Sequence, residues 1–576
     1  MIRKQFGSVC LFVALASVSV VGQAVSPSPA AQPAKSGTIT GRVVNEKGQP
    51  LPYARVSLRA VGSMSPGQSI ITDQDGRFEA SGLERATYQI AAWLSAYAPQ
   101  PRNPFDTQSS NVRVGDSVTL VLIKGGVITG TVTNQAGEPV VGVRVRAKLI
   151  RDNDLLPAAF AQMGMERTTD DRGVYRIYGL PAGTYVVWAG GAGFYVVTDP
   201  FDGDVPTYAP ASTRDDAAEI TVRSGEETTN VDIRYRGEPG RTVSGTVTGP
   251  AADPQRGGIG IELTSVKDPG VQWTSMRGVS AQDGMGFSFQ GVDDGDYYIT
   301  ARSFLPSLEW ALSPAKRITV RGADVTGIKL VTQPLGSVTG RVVLEESSAT
   351  ECTDKTRPAF SEILVSAWHR ETEATKEMPR FVWSLGSPAP PDAEGNVRMR
   401  NLFAGEYRFL TQFSGKYWFL QAVSFPASKT PPAKPVDAAR TWTTIKSGER
   451  ISGLTVTLAH GAASLRGQIA IAEGETLPEN LIAYLVPAER EKADDVLRYF
   501  AVAVTPDGKI TFNNLAPGRY WIVAQATSDD RSPSTKLRLP DSTEMRSALR
   551  RAAEAAKNEV EFKPCQNVVG FRLRVP

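Results

Sequence analysis

Short stretches in which apolar and polar side chains alternate dominate this sequence. In the passage 168–188, Tyr175 and Ile177 alternate with Val174 and Arg176, which is the period of a half-buried strand. Asp171-Arg172-Gly173 precedes this stretch, and Pro181-Ala182-Gly183 follows it. Both are turn signals, because proline presets φ and glycine supplies a positive φ. The passage therefore predicts three strands joined by two turns.

The same passage occurs five times along the chain. Its second half reads Leu-x-x-Gly-x-Tyr in most copies, with Ala86 in place of the glycine in the first copy. The tyrosines that anchor the copies are Tyr88, Tyr185, Tyr297, Tyr407 and Tyr520. They are 97 to 113 residues apart, whereas the units of a solenoid run about 20–50 residues. The repeat is therefore a small domain. We expect each anchor ring to be buried and its hydroxyl to bond nearby backbone.

Each copy opens with an alternating strand that has a glycine among its apolar positions. These glycines are Gly41, Gly130, Gly245, Gly340 and Gly467. A glycine there predicts that the facing sheet approaches closely. Four copies also close with a turn followed by a strand, as in Val118 to Leu122. Several short strands with turn signals between them predict an antiparallel sandwich.

These features together resemble a known domain family. The order is Gly-x-Val, a Pro/Gly turn at 48–52 and 137–140, a Thr-Asp-x-x-Gly turn and then Leu-x-x-Gly-x-Tyr. It resembles the carboxypeptidase regulatory-like domain, and the likeness is strongest in the first two copies. The resemblance implies a transthyretin-like seven-stranded β-sandwich. It also implies an exported bacterial protein in which such domains serve as rigid accessory modules.

We therefore predict an all-β chain: a tandem array of five transthyretin-like antiparallel β-sandwich domains with one short C-terminal helix. The expected domains are 37–124, 125–236, 237–333, 334–460 with an insertion, and 461–576 with an inserted helix at about 541–557. We call them domains 1 to 5. In domain 4 the insertion includes the charged stretch Arg370 to Lys376. In domain 5, Asp541 to Glu544 has the composition of a helix start, and Met545, Leu549, Ala552 and Ala556 should then share one buried face.

The beginning of the sequence resembles a secretory signal. Arg3 and Lys4 precede the apolar stretch Val9 to Val21, and Gly22-Gln23-Ala24 is an acceptable cleavage site. The apolar stretch is shorter than the roughly 20 residues of a membrane span, although an uncleaved anchor is the alternative. We expect a signal peptide at 1–24, a flexible linker at 25–36, no transmembrane span after cleavage, and a periplasmic, cell-surface or secreted location.

Two cysteines, Cys352 and Cys565, remain after such a cleavage. An even pair in an exported chain predicts one disulfide, which would link domain 4 to the C-terminal segment. The alternative is two thiols that are free or buried separately.

No pattern of catalytic residues is found. His369 and His460 are the only histidines, and neither lies in a zinc-peptidase motif. There is no nucleophile elbow and no phosphate-binding glycine loop. Asp73-Gln74-Asp75-Gly76 resembles the start of a calcium loop but lacks its late ligands, so we interpret it as a hairpin turn capped by aspartate. We predict no enzyme activity, no catalytic residue, no cofactor and no metal site.

The 63 basic and 60 acidic residues give a net charge of +3 and are scattered, so we expect no nucleic-acid partner.

Exposed aromatics can stack on the apolar C–H faces of sugars. The candidates are Trp188, Tyr195, Tyr208 and Trp310. Packing on a sheet is the alternative for aromatics in strands.

The main hypothesis is a non-catalytic scaffold or protein-interaction array at the cell envelope, and its partner would be an envelope protein or a polysaccharide. The alternative is a carbohydrate-binding protein, which gains from the likeness of this sandwich to carbohydrate-binding-like folds.

Overall fold

The computed structural model describes most of the chain after residue 36. The described residues are 37–63, 67–100, 111–150, 165–191, 200–250, 252, 258–267, 272–277, 285–307, 309–354, 356–370, 388–426, 435–470, 477–478, 481–505, 507–526 and 542–574. The predicted signal peptide and linker lie outside these residues, as do Tyr195 and most of the charged stretch 370–376.

Forty-one strands, one α-helix and three short 3-10 helices form the described part of the chain. Domain 1 contains β1 to β8: Gly37–Asn45, Arg55–Ala60, Gln68–Ile71, Arg77–Leu83, Thr87–Trp93, Tyr97–Pro99, Asn111–Arg113 and Ser117–Lys124. Domain 2 contains β9 to β17: Gly126–Thr133, Arg144–Leu149, Glu166–Thr168, Val174–Leu180, Gly183–Ala189, Thr207–Tyr208, Ile220–Val222, Glu227–Thr228 and Ile233–Arg234. Domain 3 contains β18 to β25: Arg241–Thr248, Ile259–Ser265, Gln272–Arg277, Met285–Val292, Gly295–Phe304, Trp310–Leu312, Lys316–Val320 and Val325–Val331; β26, at Gln333–Pro334, leads into domain 4.

Domain 4 contains β27 to β34: Gly336–Glu345, Leu364–His369, Asn396–Leu402, Gly405–Gln412, Trp418–Phe425, Val436–Asp437, Thr443–Ile445 and Arg450–His460. Domain 5 contains β35 to β41: Ala463–Ala470, Leu481–Pro487, Phe500–Ala503, Lys509–Leu515, Gly518–Ala526, Glu559–Phe562 and Asn567–Arg574. Its helix α1 spans Thr543–Ala556. The 3-10 helices lie at Phe360–Glu362, Arg490–Lys492 and Val496–Arg498.

Each domain is a sandwich of two sheets around its own apolar core, and this confirms the predicted fold class. In domain 1 the sheet orders are β4-β1-β8-β6 and β3-β2-β5-β7. The first strand of every domain pairs antiparallel with one neighbour and parallel with the strand or strands that close the domain, as β1 does with β4 and β8. The antiparallel sandwich thus contains parallel pairing at the same place in each copy.

The anchor tyrosines have the predicted environment. All five are at most 7% exposed, and each hydroxyl donates a hydrogen bond to the backbone carbonyl four residues earlier. The oxygen–oxygen distances are 2.9 Å for Tyr88, 2.7 Å for Tyr185, 2.8 Å for Tyr297, 2.9 Å for Tyr407 and 2.9 Å for Tyr520. Each tyrosine therefore fixes the tight turn before its strand while its ring fills the core.

The opening-strand glycines leave room for the closing strand of their own sheet, whereas the prediction was that they leave room for the facing sheet. A Cβ on Gly41 would lie 2.4 Å from the carbonyl oxygen of Val118, and one on Gly245 would lie 2.0 Å from that of Ile328. Both carbonyls belong to the parallel strand in the same sheet. The expectation that the facing sheet approaches closely is therefore wrong, because a carbonyl of the closing strand fills this space.

The loop that resembles a calcium site is a capped turn. The Asp73 carboxylate accepts hydrogen bonds from the backbone N–H groups of Asp75 and Arg77, at 2.9 and 2.7 Å. Asp170 and Asp392 make the corresponding pairs of bonds in domains 2 and 4. In each of these turns one carboxylate oxygen of the aspartate accepts hydrogen bonds from two backbone N–H groups, as in an Asx turn.

The helix begins and ends as predicted, and its buried face agrees with the prediction in part. Ser542 caps its first turn, and Lys557 ends it in a left-handed conformation. Met545 is 52% exposed, whereas Arg546 and Ala553 are buried and Leu549 packs with them against the sheet. The prediction is confirmed for Leu549 and Ala556, which pack on the sheet. It is wrong for Met545, and Ala552 is only partly buried beside the buried Ala553. Arginine can bury its aliphatic stem while its head finds polar partners, and Arg546 does so beside Thr543.

Candidate functional site: the domain joints and the outer sheet face of domain 4

Two of the predicted sugar-stacking aromatics, both in domain 2, lie next to each other and are buried. The rings of Trp188 and Tyr208 are 5.5 Å apart, and the two residues are only 7% and 3% exposed. Val186 packs with them, and Ile150 and Ala217 complete the cluster. Trp188 and Tyr208 are direct partners across β13 and β14, so the two rings are buried side by side in this cluster.

Trp310 lies where domain 3 meets domain 4. Its ring contacts Phe304 edge-on at 4.9 Å, and it packs against Leu312, Leu335 and Phe403. Phe403 belongs to the anchor turn of domain 4, so Trp310 helps to form an apolar joint between the two domains. Like Trp188, it has the packing role that aromatics in strands commonly take.

A left-handed residue immediately before the anchor leucine or valine recurs in all five domains. The five are Gly82, Gly179, Gly291, Asn401 and Asn514, with φ between 57° and 77°. At each of them the pairing with the opening strand slips at a bulge. Glycine and asparagine are the residues that tolerate this conformation, and a bulge turns the backbone out of the ladder. We call these positions the bulge residues.

In domains 2 to 5 the bulge residue contacts the preceding domain. A Cβ on Gly179 would lie 3.6 Å from Ala96 Cα in domain 1, and one on Gly291 would lie 2.4 Å from the carbonyl oxygen of Asp202 in domain 2. In domain 1, by contrast, a Cβ on Gly82 would have no neighbour within 4 Å. The same local structure thus supplies successive joints of the array.

The asparagines replace this close approach with hydrogen bonds. The Asn401 side-chain oxygen accepts a bond from the Trp310 backbone N–H at 2.8 Å. The Asn514 side-chain nitrogen donates to the carbonyl oxygens of Gly415 and Trp418, both at 2.7 Å. The signal in the sequence is the Gly or Asn before each anchor leucine or valine. The sequence analysis missed these contacts, because a Gly or Asn indicates a turn and does not indicate that another domain contacts it.

A buried carboxylate strengthens the joint between domains 3 and 4. Glu309 is 6% exposed and faces Arg398 at 2.6 Å and Arg450 at 3.9 Å, both in domain 4. A buried charge is costly unless it is paired, so Glu309 favours the arrangement that brings both guanidinium groups to it.

The joint between domains 4 and 5 is covalent. The sulfur atoms of Cys352 and Cys565 are 2.03 Å apart, which is a disulfide between residues 213 positions apart. Apolar packing of Phe419, Ala462 and Ala516 lies at the same joint. His460 is buried next to the disulfide. These three side chains are the one group of metal-ligand type found in the described ranges, but the two sulfurs bond each other and are not thiolates.

Domain 4 also returns to contact domain 1. The Arg85 Nε atom lies 2.7 Å from the Glu362 carboxylate, and the Ser361 hydroxyl donates to the Arg85 carbonyl oxygen. A Cβ on Gly62 would lie 2.6 Å from Pro390 Cδ. With the joints between successive domains, this contact closes a circuit through domains 1, 2, 3 and 4.

An aromatic and cationic cluster lies on the smaller sheet of domain 4. Trp368 and Arg408 are direct partners across β28 and β30, and Trp442 comes immediately before β33. The Arg408 guanidinium carbon is 4.2 Å from the Trp442 ring centre, and that of Arg370 is 5.6 Å away. The sequence candidates did not include Trp368 or Trp442. The sequence gives little indication of this cluster, because Trp368 lies within one strand and Trp442 just before another. Only the pairing of both strands with β30 brings them near each other.

One buried carboxyl group in domain 3 has an altered ionisation. Burial raises the pKa of Glu262 to about 7, and the charge of Arg302 opposes this effect. Burial lowers the pKa of Arg302 in turn. Both side chains lie on the face of the β19–β22 pair away from the core of that domain, where Arg302 passes over Gly260.

Comparisons with known proteins agree with the resemblance noted in the sequence. Residues 38–121 and 127–236 match the family model of the carboxypeptidase regulatory-like domain, which confirms the resemblance for domains 1 and 2. The chain is also 28% identical over 187 residues to the BOS complex subunit NOMO1 of Mus musculus. This similarity covers 31% of the chain and 15% of the mouse protein, so the chain spans under a sixth of that relative.

Two pilins are among the solved structures that are similar to the chain. The minor pilin GBS52 of Streptococcus agalactiae is 13% identical, with 35% of this chain and 96% of the pilin covered and a TM-score of 0.19. A streptococcal ancillary pilin is 14% identical, with coverages of 52% and 100% and a TM-score of 0.15. Scores this low do not show a shared overall arrangement, so the pilins bear on neither fold nor function here. No helix within the described ranges is both long and apolar enough to cross a membrane.

Proposed function

We propose that the chain is a non-catalytic scaffold, exported to the cell envelope, that holds interaction surfaces at fixed relative positions. The observation that carries this proposal is the recurrence of one joint: the bulge residue of each of domains 2 to 5 contacts the domain before it. A flexible string of domains needs no such repeated contact. A scaffold does, because fixed geometry requires interfaces that resist rotation.

The covalent and ionic contacts support the same proposal. The disulfide fits an oxidising compartment outside the cytoplasm and fastens domain 5 to domain 4. The Arg85–Glu362 contact fastens domain 4 to domain 1. We take the five units to have the boundaries expected from the sequence, and the partner to be an envelope protein.

Photo-crosslinking in intact source cells tests this function. A photoreactive residue is placed at Glu79 in domain 1 or at Glu394 in domain 4, both exposed. In the wild-type background, we expect both positions to give discrete adducts with the same envelope proteins. We expect different adducts when Arg85→Glu opens the circuit. Recovery of the chain only in the cytoplasm, or an adduct pattern that Arg85→Glu leaves unchanged, would contradict the proposal.

The alternative, carbohydrate binding, loses support from Trp188 and Tyr208, which are 7% and 3% exposed, and from Trp310, which packs in the joint between domains 3 and 4.

A further inference from the structure

We propose that Cys352, His460 and Cys565 form a zinc site when the disulfide between the two cysteines is reduced. A ring nitrogen of His460 and the two sulfur atoms lie within 4.8 Å of one another. Cys352 and His460 are only 3% and 5% exposed. Two thiolates and an imidazole are ligands that Zn²⁺ prefers in proteins. This inference goes beyond the scaffold function and does not depend on it.

Hydrogen bonds hold Cys565 beside His460 independently of the disulfide. The Cys565 backbone N–H donates to the carbonyl oxygen of Gly461 at 3.0 Å, and Gly461 follows His460 directly. The Gly461 N–H in turn donates to the carbonyl oxygen of Tyr417, in domain 4, at 2.7 Å. Reduction breaks none of these bonds, so we expect the two residues to stay together.

The segment that carries Cys352 is fixed in the same way. The Nε2 atom of His460 is 2.9 Å from the carbonyl oxygen of Asp354, and the Trp418 indole N–H donates to the carbonyl oxygen of Thr356, also at 2.9 Å. Both carbonyl groups lie within four residues of Cys352. Contacts outside the disulfide therefore position all three ligands, although they come from distant parts of the sequence.

The contact with Asp354 also selects the nitrogen that binds the metal. A carbonyl oxygen can only accept a hydrogen bond, so Nε2 carries the proton of the neutral imidazole and Nδ1 keeps the lone pair. Histidine ligands of metals almost always donate their second ring N–H to such a partner, which fixes the ring and raises its basicity. His460 already has this outer contact.

The redox chemistry of the cysteines controls the site. A dithiol supplies two electrons and two protons, its own sulfurs join in a new disulfide, and Cys352 and Cys565 become thiols. Zn²⁺ then displaces the two thiol protons, and three protein ligands leave a fourth position for water. The oxidised chain lacks the thiolates that a metal needs.

Charge favours zinc over monovalent copper, the other soft cation that thiolates select. Two thiolates and Zn²⁺ sum to zero charge, whereas Cu⁺ leaves one negative charge in a buried place, which is costly. Cys352 and His460 belong to domain 4 and Cys565 to domain 5. Zinc therefore keeps the two domains joined after the covalent bond is lost.

Zinc uptake by residues 25–576 tests the proposal. The chain is reduced with a phosphine, desalted without oxygen and titrated with Zn²⁺ against a competing chelator. Co²⁺ in place of zinc reports thiolate ligands through its sulfur-to-metal charge-transfer band. His460→Gln is the main variant, because its amide nitrogen can still bond the Asp354 carbonyl while the Nδ1 lone pair is lost. Cys352→Ser removes a sulfur, and His369→Gln, which changes the other histidine, is the control. Thermal melting confirms that each variant is folded.

We expect the reduced wild-type chain to bind one Zn²⁺ and the oxidised chain none. His460→Gln and Cys352→Ser should bind at least about tenfold more weakly, because loss of an outer partner of a zinc ligand alone costs about 10–100-fold. His369→Gln should bind as the wild type does. No uptake by the reduced chain, or equal uptake by the oxidised chain, would overturn the proposal. So would equal affinity in His460→Gln and wild type, which indicates binding to thiols alone.

Discussion

The Asn401 side-chain oxygen accepts a hydrogen bond from the backbone N–H of Trp310, across the joint between domains 3 and 4. At the next joint Asn514 uses its side-chain nitrogen instead, and donates to two carbonyl oxygens of domain 4. The same residue type, in the same left-handed bulge, thus bonds the preceding domain with opposite polarity.

This difference predicts that aspartate is tolerated at one joint and not at the other. Asn401→Asp keeps an acceptor opposite the Trp310 N–H and should change stability little. Asn514→Asp replaces a donor with a carboxylate that faces two carbonyl oxygens, and should cost roughly 1–3 kcal/mol. Aspartate tolerates positive φ in both places. Calorimetry of the two variants checks this, and equal destabilisation would show that the bonds have no such polarity.

Loss of the disulfide should weaken the joint between domains 4 and 5. Closing a loop of this length stabilises by about 2–5 kcal/mol, and the bond joins residues 213 positions apart. We expect Cys352→Ser, Cys565→Ser and the double variant to lower the melting temperature of these domains equally, because each removes the same bond. A reducing agent should reproduce the shift in wild type and change none of the variants. Unequal single variants would contradict this account.

The anchor tyrosines offer a matched pair within domain 2. Tyr185→Phe removes the hydroxyl that bonds the Pro181 carbonyl at 2.7 Å and leaves a buried acceptor unpaired, at a cost of about 1–3 kcal/mol. Tyr178→Phe removes a hydroxyl from a 37% exposed residue and should be nearly neutral. Denaturant unfolding measures both. Burial raises the pKa of Tyr185, so its phenolate should be missing from an alkaline titration of the folded protein.

Stability of domain 3 should fall as the pH rises through the weakly acidic range. Burial raises the pKa of Glu262 from 4.5 to about 7, so the folded state holds a proton that the unfolded state releases. The stability that this proton confers is present below pH 4.5 and is lost between 4.5 and about 7. The loss should be on the order of 3 kcal/mol. Glu262→Gln should remove this dependence, and a pH profile unchanged by the substitution would contradict it.

The sequence predicts the repeat, the sandwich and the anchor turns because these depend on local periodicity and on single turn residues. Tyr185 can be placed from its neighbours alone. Trp188 cannot, because its burial depends on residues that are distant in sequence, Tyr208 on the paired strand β14 and Ala217. The burial of Arg546 in place of Met545 was missed for the same reason, since Arg546 lies 3.7 Å from the carboxylate of Asp494, which is distant in sequence.

The candidate site was harder to predict than the fold. The aromatic and cationic cluster of domain 4 depends on a register that joins Trp368, Arg408 and Trp442, and alternation alone does not fix which residues oppose each other. The joints depend on Gly or Asn at the bulge residues. In the sequence those residues indicate only that the backbone turns, not that a second domain contacts the turn.

The distance between domain 1 and domain 4 tests the closed circuit most directly. Spin labels at Glu79→Cys and Glu394→Cys, both exposed, report it by electron–electron double resonance in residues 25–576, where the disulfide occupies the native cysteines. The account predicts one narrow distance distribution, which becomes broad in Arg85→Glu and narrow again in Arg85→Glu with Glu362→Arg. A broad distribution in the wild-type background would contradict the account, because it would mean that domains 1 and 4 move independently.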